Sequence, residues 1–391
     1  MSFPLVKSLV ILTAAATLTI QPALAADKVK IGFVSTLSGP SAALGVDIRD
    51  AFMLAVKLNG GKLGGLPADV SISDDQFKPD VGKQLFERYV KRDKVDFLTG
   101  VVFSNIMLAG LPEAVDNKTI YLSPNAAPSP IAGAQCTPYF FAVSWPNDAY
   151  HEAAGQYATN LKVKSAYLLA PNYQAGKDAL AGFKAQYKGA AIDEIYTQIN
   201  QPDYSAEIAQ MQAAKPDALY VFYPGGMGVN FVKQYQQAGM LGKVPLLSAA
   251  TVDGTTLPAL KDIALGVITS SPYSPDIDNP QNKKFVDDFR KKYNRFPSLY
   301  AAQSYDAAML LNSALLKTQG KLDREPFRAA LKQANFKSVA GPFKFNNNQF
   351  PIRNFYRVDV AKDSSGQAAL VNKGVVLKDH ADAYASQCTM N

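Results

Sequence analysis

The chain has little of what metal centres, redox relays and disulfide scaffolds are built from: two cysteines and two histidines in 391 residues. Neither His151 nor His380 has a partner at ligand spacing, so no His-rich metal site is expected. There is no P-loop and no Gly-x-Gly-x-x-Gly. The run Gly225 to Gly228 follows a strand pattern and precedes a helical one, but its glycine spacing is wrong for a dinucleotide fingerprint. No Gly-x-Ser-x-Gly elbow occurs, and Asp74-Asp75 reads as a solvated loop rather than a catalytic pair. Nothing assembles a nucleophile, a base and an oxyanion hole, so neither an enzyme nor a cofactor is expected. Beyond the N-terminus no apolar stretch approaches the ~20 residues of a membrane span.

What is present begins with a leader. Lys7 heads the apolar run Ser8 to Ile20, which ends at Ala23-Leu24-Ala25. A positive start, a short apolar core and an A-x-A site describe a secretory signal peptide over residues 1–25, cut after Ala25. The run is too short for a good span, and no cysteine near the cut offers a lipid anchor. Export to the periplasm is expected. The formal charge is +7, and losing Lys7 with the leader leaves +6. The densest basic cluster, Lys291-Lys292 to Arg295, falls on an amphipathic helix and reads as a solvated face, so no nucleic-acid partner is expected. An even cysteine count in an exported chain invites one disulfide, Cys136–Cys388, pinning the C-terminal tail to the middle; two free thiols are the alternative.

The mature length suits two domains. Val29 to Val34, Val70 to Ile72 and Val95 to Leu98 are strand runs separated by the helical stretches Val46 to Leu58 and Pro79 to Arg92. This alternation means βαβ units and a parallel sheet. After Phe140 to Val143 and a crossover at Trp145-Pro146-Asn147-Asp148 the pattern restarts. Strands at Ser165 to Leu169, Ala191 to Thr197, Ala218 to Tyr223, Pro245 to Leu247 and Gly266 to Thr269 alternate with helices. A long helical section follows, Asn282 to Ala334, then a hairpin from Pro342 to Val360 about Asn346-Asn347-Asn348. The chain is expected to cross between two α/β lobes more than once.

One stretch stands out, FLTGVVFSNIMLAGLPEAVDNKTIYLSPNAAPSP from Phe97 to Pro130. It reads as strand, turn, helix, strand, turn, and both strands end in small polar residues: Ser104-Asn105, then Ser123 and Asn125. Ligands of open parallel sheets bind beyond the carboxyl ends of the strands. Hydroxyls and free N–H groups just before a helix suit an anion. Two ordinary βα loops would also read this way, since Ser, Asn and Pro are common in turns.

Together with the leader, the segments KIGFVSTLSGPSAALG (Lys30 to Gly45), FLTGVVFSN, YLSPNAAPSP, APNYQAGKDALAGF (Ala170 to Phe183) and DYSAEIAQMQAAKPDALYVFYPGG (Asp203 to Gly226) carry a resemblance. Over essentially its whole mature length the chain resembles the branched-chain amino-acid type of ABC-transporter solute-binding proteins. The resemblance implies an α/β architecture of the type I periplasmic binding protein kind: two Rossmann-like lobes with parallel central sheets, joined by a three-segment hinge. The expected lobes are residues 26–144 with 275–337, and 145–274 with 338–378, leaving a tail at 379–391. It also implies a ligand trapped between closing lobes, a membrane permease as partner, and a monomer. A periplasmic sensor subunit on the same fold would need the same cleft.

Carried over residue by residue, the resemblance places a carboxylate at Ser104 and neighbouring N–H groups, flanked by Ser41, Phe103 and Asn105. The following turn, Asn125, Ala126 and Ala127, has Ala127 where a threonine is expected. Tyr173 corresponds to the aromatic residue that covers the ligand, and Tyr223 to the next ligand-facing loop. The acidic partner of a ligand ammonium falls at Ala250 or Thr251, and neither is acidic; Asp253 is the nearest substitute. A buried ammonium without a counter-charge carries a large desolvation penalty. A carboxylic acid without an amino group therefore fits better. Phe103, Trp145, Tyr173 and Tyr223 are candidates to line an aromatic cavity for it, with core packing as the alternative for each. The expected ligand is an aromatic acid of the benzoate or cinnamate type; a branched-chain amino acid, an aliphatic acid or a short amide is the runner-up.

Overall fold

The computed structural model describes residues 27–390; the leader and its cleavage point lie outside the described residues. Two sheets organise the chain. The first is formed by β1 (Val29–Ser35), β2 (Lys62–Leu63), β3 (Leu66–Asp74), β4 (Phe97–Thr99), β5 (Ile120–Ser123) and β6 (Phe140–Ala142), in the order β2-β3-β1-β4-β5-β6. The second has β7 (Ser165–Pro171), β8 (Ala190–Thr197), β9 (Ala218–Val221), β10 (Leu246–Ala249), β11 (Ile268–Ser271), β12 (Lys344–Phe345), β13 (Pro351–Lys362) and β14 (Ala368–His380). Its order is β12-β13-β11-β10-β9-β7-β8, with β14 paired to β13. Each sheet and the helices packed on it make one lobe.

The central strands read as near-continuous apolar runs because helices cover both faces of a parallel sheet. Val29, Ile31, Phe33 and Val34 of β1 are wholly buried, as is all of Ala218–Val221 in β9. The sheets are nonetheless mixed rather than purely parallel. Strand β2 joins β3 in a hairpin turned by Gly64 and Gly65, and β12, β13 and β14 run antiparallel at the edge of the second sheet. Strand β3 is also longer than the Val70 to Ile72 run. Strand β14 carries no clear apolar alternation, is half-buried or exposed throughout and bends at Gly374 (φ 105°). It continues to His380, past the expected boundary at 378.

The chain passes between the lobes after β6, after β11 and before β12. The helix Leu299–Lys317 returns to pack on Ala42–Leu58 of the first lobe. Arg353 of β13 joins two of these passages, reaching Val143 and Ser144 after β6 and the Ser338 hydroxyl before β12. One guanidinium nitrogen donates to the Val143 and Ser144 carbonyls (3.0 and 3.2 Å), and the other lies 3.7 Å from the buried Asp306 carboxylate on Leu299–Lys317. A covalent link is added by the Cys136–Cys388 disulfide, with 252 residues between its ends. Cys136 sits between β5 and β6, and Cys388 follows β14, so the bond ties the end of the second lobe to the first.

Asp75 is not the solvated residue expected. It is fully buried, accepting from the Thr36 hydroxyl (2.6 Å) and the Phe77 N–H (2.9 Å), and burial pushes its carboxyl up to about 6. The loop it fixes holds Phe77 against Phe103, ring centroids 4.0 Å apart.

Candidate functional site

The carboxyl ends of β1, β4 and β5 face those of β7 and β9 across a cleft whose lobes are in contact. Glycine permits the turn after β4: Gly100 has φ 107°, and a Cβ there would come within 2.6 Å of the Val34 carbonyl oxygen. Four residues on, the helix Ser104–Asp116 begins with no side-chain cap. First-turn N–H groups have no intrahelical acceptor, and those of Ser104 and Asn105 are taken by no other group among the described residues. A helix end with two such donors suits an anion.

Ser104 is 2 % exposed, and its hydroxyl oxygen accepts from the Asn147 side-chain amide at 2.9 Å. With that lone pair engaged, its proton is left to donate into the cleft. The same Asn147 nitrogen donates to Asp178 (3.0 Å), and its amide oxygen accepts from the Ala127 N–H (3.2 Å). Asp178, on the second-lobe helix Gln174–Gln186, also accepts from the hydroxyl and N–H of Ser129 in the first lobe (2.6 and 3.2 Å) and from Gln174 (2.8 Å). A buried chain of hydrogen bonds thus runs from Ser104 across the lobe boundary.

The cavity beside Ser104 is small, with about 20 Å³ open to a water-sized sphere. Phe103, Trp145, Tyr150, Tyr173, Phe222 and Tyr300 form its aromatic walls; Ser104, Asn125 and Asn147 supply the other polar atoms, and no charged side chain lines it. Phe222 and Tyr173 lie nearly parallel with centroids 6.4 Å apart, and Trp145 meets Tyr150 edge-on at 5.2 Å. Burial above all pushes the Tyr150, Tyr173 and Tyr300 phenols well above their ordinary range, so all three remain protonated donors. The helix Leu299–Lys317 presents Tyr300 in its first turn, where the Ser298 hydroxyl caps the Tyr300 and Ala301 N–H groups.

Of the residues expected here, Phe103, Ser104, Asn125, Trp145 and Tyr173 lie on the cavity wall. Asn125 is already committed, donating to the Val102 carbonyl (2.6 Å) and accepting from Gln303 (2.7 Å). Ser41 is buried with its hydroxyl unpartnered and faces Gly225 of the opposite lobe. Asn105 is half-buried, with an unpartnered amide oxygen.

Four residues are placed otherwise. The Ala126 carbonyl accepts from the Ser123 hydroxyl, and both backbone groups of Ala127 are bonded to Asn147, so neither residue offers a free group to a ligand. Tyr223 is fully buried against Phe231 (5.0 Å), its oxygen accepting from Thr197 at 3.2 Å; its neighbour Phe222 points into the cavity instead. Thr251 ties its own loop, accepting from the Tyr223 N–H (2.8 Å) and donating to the Val221 carbonyl (3.2 Å). Asn147, Tyr150, Phe222 and Tyr300 were not singled out from the sequence as ligand-facing residues. They come from the hinge, a strand end and a distant helix, and no local pattern joins them.

Asp253 lies outside the cavity wall. One oxygen caps its own loop, accepting from the Thr255 N–H and hydroxyl (2.7 and 2.6 Å), and the other is buried without a partner. It borders a separate small hinge cavity of about 20 Å³, and burial raises its carboxyl to about 6.

The sequence profile of the periplasmic binding protein family matches residues 28–367. A Leu/Ile/Val-binding protein homologue from Brucella melitensis is 28% identical over 354 residues, covering 87% of this chain and 90% of its own. Among solved structures, an ABC-transporter solute-binding protein from R. palustris in complex with benzoate superposes with a TM-score of 0.88 at 29% identity, covering 93% of this chain and all of that one. A second, from Rhodopseudomonas palustris BisB5 in complex with 3,4-dihydroxybenzoic acid, gives 0.84 at 29% identity, over 92% and 99%.

Proposed function

Because the chain belongs to the periplasmic binding protein family, we propose that it is an exported, monomeric solute-binding protein that captures an aromatic carboxylate between its lobes and hands it to an ABC permease. The observation that carries the ligand class is the wall of the cavity: aromatic rings around a helix N-terminus, with no charged side chain. The N–H groups of Ser104 and Asn105 and the Ser104 hydroxyl receive the carboxylate, as neutral donors at a positive helix end. Rings on both sides of the cleft face the aromatic body. An amino acid would bring an ammonium group that no wall residue neutralises, at a large desolvation cost. The benzoate-bound relative supports the same reading. The Leu/Ile/Val-binding relative favours a branched-chain amino acid as the second reading, with Asp178 and Asp253, both outside the cavity wall, as nearby carboxylates.

Calorimetric titration of the mature protein with benzoate, benzamide, leucine and phenylalanine separates the two. Benzoate is expected to bind and the others to bind weakly or not at all. Ser104→Ala removes a hydrogen bond to a charged group, worth about 1.5–3 kcal/mol, and should weaken benzoate binding about tenfold to hundredfold. Tight leucine binding with no response to benzoate would overturn the proposal.

A further inference from the structure

Tyrosine hydroxyls buried in this chain almost always have partners. Tyr157 bonds to the Ser248 and Ile268 carbonyls, Tyr273 to Asn282, Tyr121 to the Val101 N–H and Tyr223 to Thr197. Outside the cleft, Tyr204 is an unpartnered exception. On the cavity wall the pattern reverses. Tyr150, Tyr173 and Tyr300 are each at most 8 % exposed, yet among the described residues none of their hydroxyls donates a hydrogen bond to a protein group. All three line the same cavity. The other polar side chains of the wall, Ser104, Asn125 and Asn147, are hydrogen-bonded to the protein.

From this arrangement we infer that the cleft selects a ring-hydroxylated aromatic acid over the unsubstituted acid, with Tyr150, Tyr173 and Tyr300 receiving the phenolic group. The inference rests on the aromatic-carboxylate reading of the same cavity. Buried donors left dry by a ligand's C–H edge keep their full desolvation cost, whereas a phenol both donates and accepts and so pairs with several hydroxyls at once. Sites built to hydrogen-bond a ligand hydroxyl discriminate strongly against analogues that lack it. The two structural relatives, one holding benzoate and the other 3,4-dihydroxybenzoic acid at the same 29% identity, do not choose between these classes.

The test is calorimetry on the mature protein with benzoate, 4-hydroxybenzoate and 3,4-dihydroxybenzoate, repeated on Tyr150→Phe, Tyr173→Phe and Tyr300→Phe. A hydroxylated acid should bind at least about tenfold more tightly than benzoate, and one or more of the variants should collapse that ratio. The wild-type ratio needs no variant to fold. Equal or tighter binding of benzoate would overturn the inference and leave the aromatic-carboxylate reading standing. A ratio unchanged in all three variants would overturn the tyrosine assignment. Failure of every aromatic acid, with leucine bound, would remove both readings together.

Discussion

Arg353→Met tests how the hinge is held. The Arg353 and Asp306 side chains are 2% and 0% exposed. Asp306 accepts from the Ser338 hydroxyl (2.5 Å) and the Val339 N–H (3.0 Å), while Arg353 satisfies the Val143 and Ser144 carbonyls. Removing the guanidinium strands a buried carboxylate and frees two hinge carbonyls at once. Breaking one side of a buried pair typically costs about 3–5 kcal/mol, which for a chain of this size lowers the melting temperature by about 5 °C. Burial pushes the Asp306 carboxyl up while Arg353 draws it down. Without Arg353 the carboxyl rises further, and a raised folded-state pKa contributes stability that is lost as pH climbs through it. The variant should therefore be less impaired at pH 5 than at pH 8 in scanning calorimetry. Adding Asp306→Asn should restore part of the loss at pH 8, because the amide keeps an acceptor for Val339 without the charge. A single variant that loses less than about 1 kcal/mol, or a double variant no better than the single at pH 8, would refute the account of a buried charge pair holding the hinge.

A Cβ added at Gly226 would lie 2.7 Å from the Pro40 carbonyl oxygen across the cleft. Gly226→Ala should therefore oppose closure by about 1–3 kcal/mol, weakening ligand binding roughly fivefold to hundredfold and leaving the ligand-free melting temperature unchanged; small-angle scattering should show less compaction with ligand. Thiol titration of the unreduced, denatured protein should find no free cysteine. Replacing Cys136 and Cys388 by serine should destabilise by about 5 kcal/mol through the 252-residue loop, measured by denaturant unfolding. Burial, then Glu152, pushes the Asp148 carboxyl up to about 8. Its folded value exceeds the unfolded value of about 3.9, so its contribution is complete below that value and lost as pH rises through about 8. Melting temperature should fall between about pH 4 and 8 and level off above that, and Asp148→Asn should flatten that slope; an unchanged slope refutes the assignment.

What could be read from the sequence is what a local pattern carries. The buried parallel strands announce themselves as short apolar runs because both faces are covered, as in Val29–Ser35 and Ala218–Val221. The lone pair of cysteines is a signal of the same kind. Edge strands escape because solvent takes one face: β14 is nowhere fully buried and its pairing with β13 is interrupted by register shifts. Within the cleft, Ser104 was legible because a strand, a small polar residue and a helix follow one another directly. Tyr223 was misplaced by a single residue, since alternation at the end of β9 turns Phe222 into the cavity and Tyr223 into the core. Thr251 went astray for a backbone reason. Ala250 has φ 51°, and the chain turns there so that Thr251 faces the Tyr223 N–H rather than the cleft. Tyr150 and Tyr300 lie 150 positions apart and meet only when the hinge brings helices of both lobes together.

The polar chain through Asn147 sets how closure and binding are coupled. Ser129 reaches Asp178 across the lobes, and Asp178 holds Asn147, which holds Ser104. On opening, Asp178 exchanges the two Ser129 bonds for water, and hydrogen bonds exchanged in this way are worth only about 0.5–1.5 kcal/mol each, rising to about 3 when one partner is charged. The lobes therefore close with a small intrinsic preference, and the ligand supplies the rest. Moving a two-state equilibrium from 1:99 to 99:1 takes about 5.5 kcal/mol of differential affinity. A carboxylate held by the first-lobe helix end contributes the same in the open and closed forms. The differential must then come from groups that reach the ligand only when the second lobe arrives, among them Tyr150, Tyr173 and Phe222. In this cleft the helix end secures the anion, while the aromatic face of the far lobe decides whether the jaws stay shut.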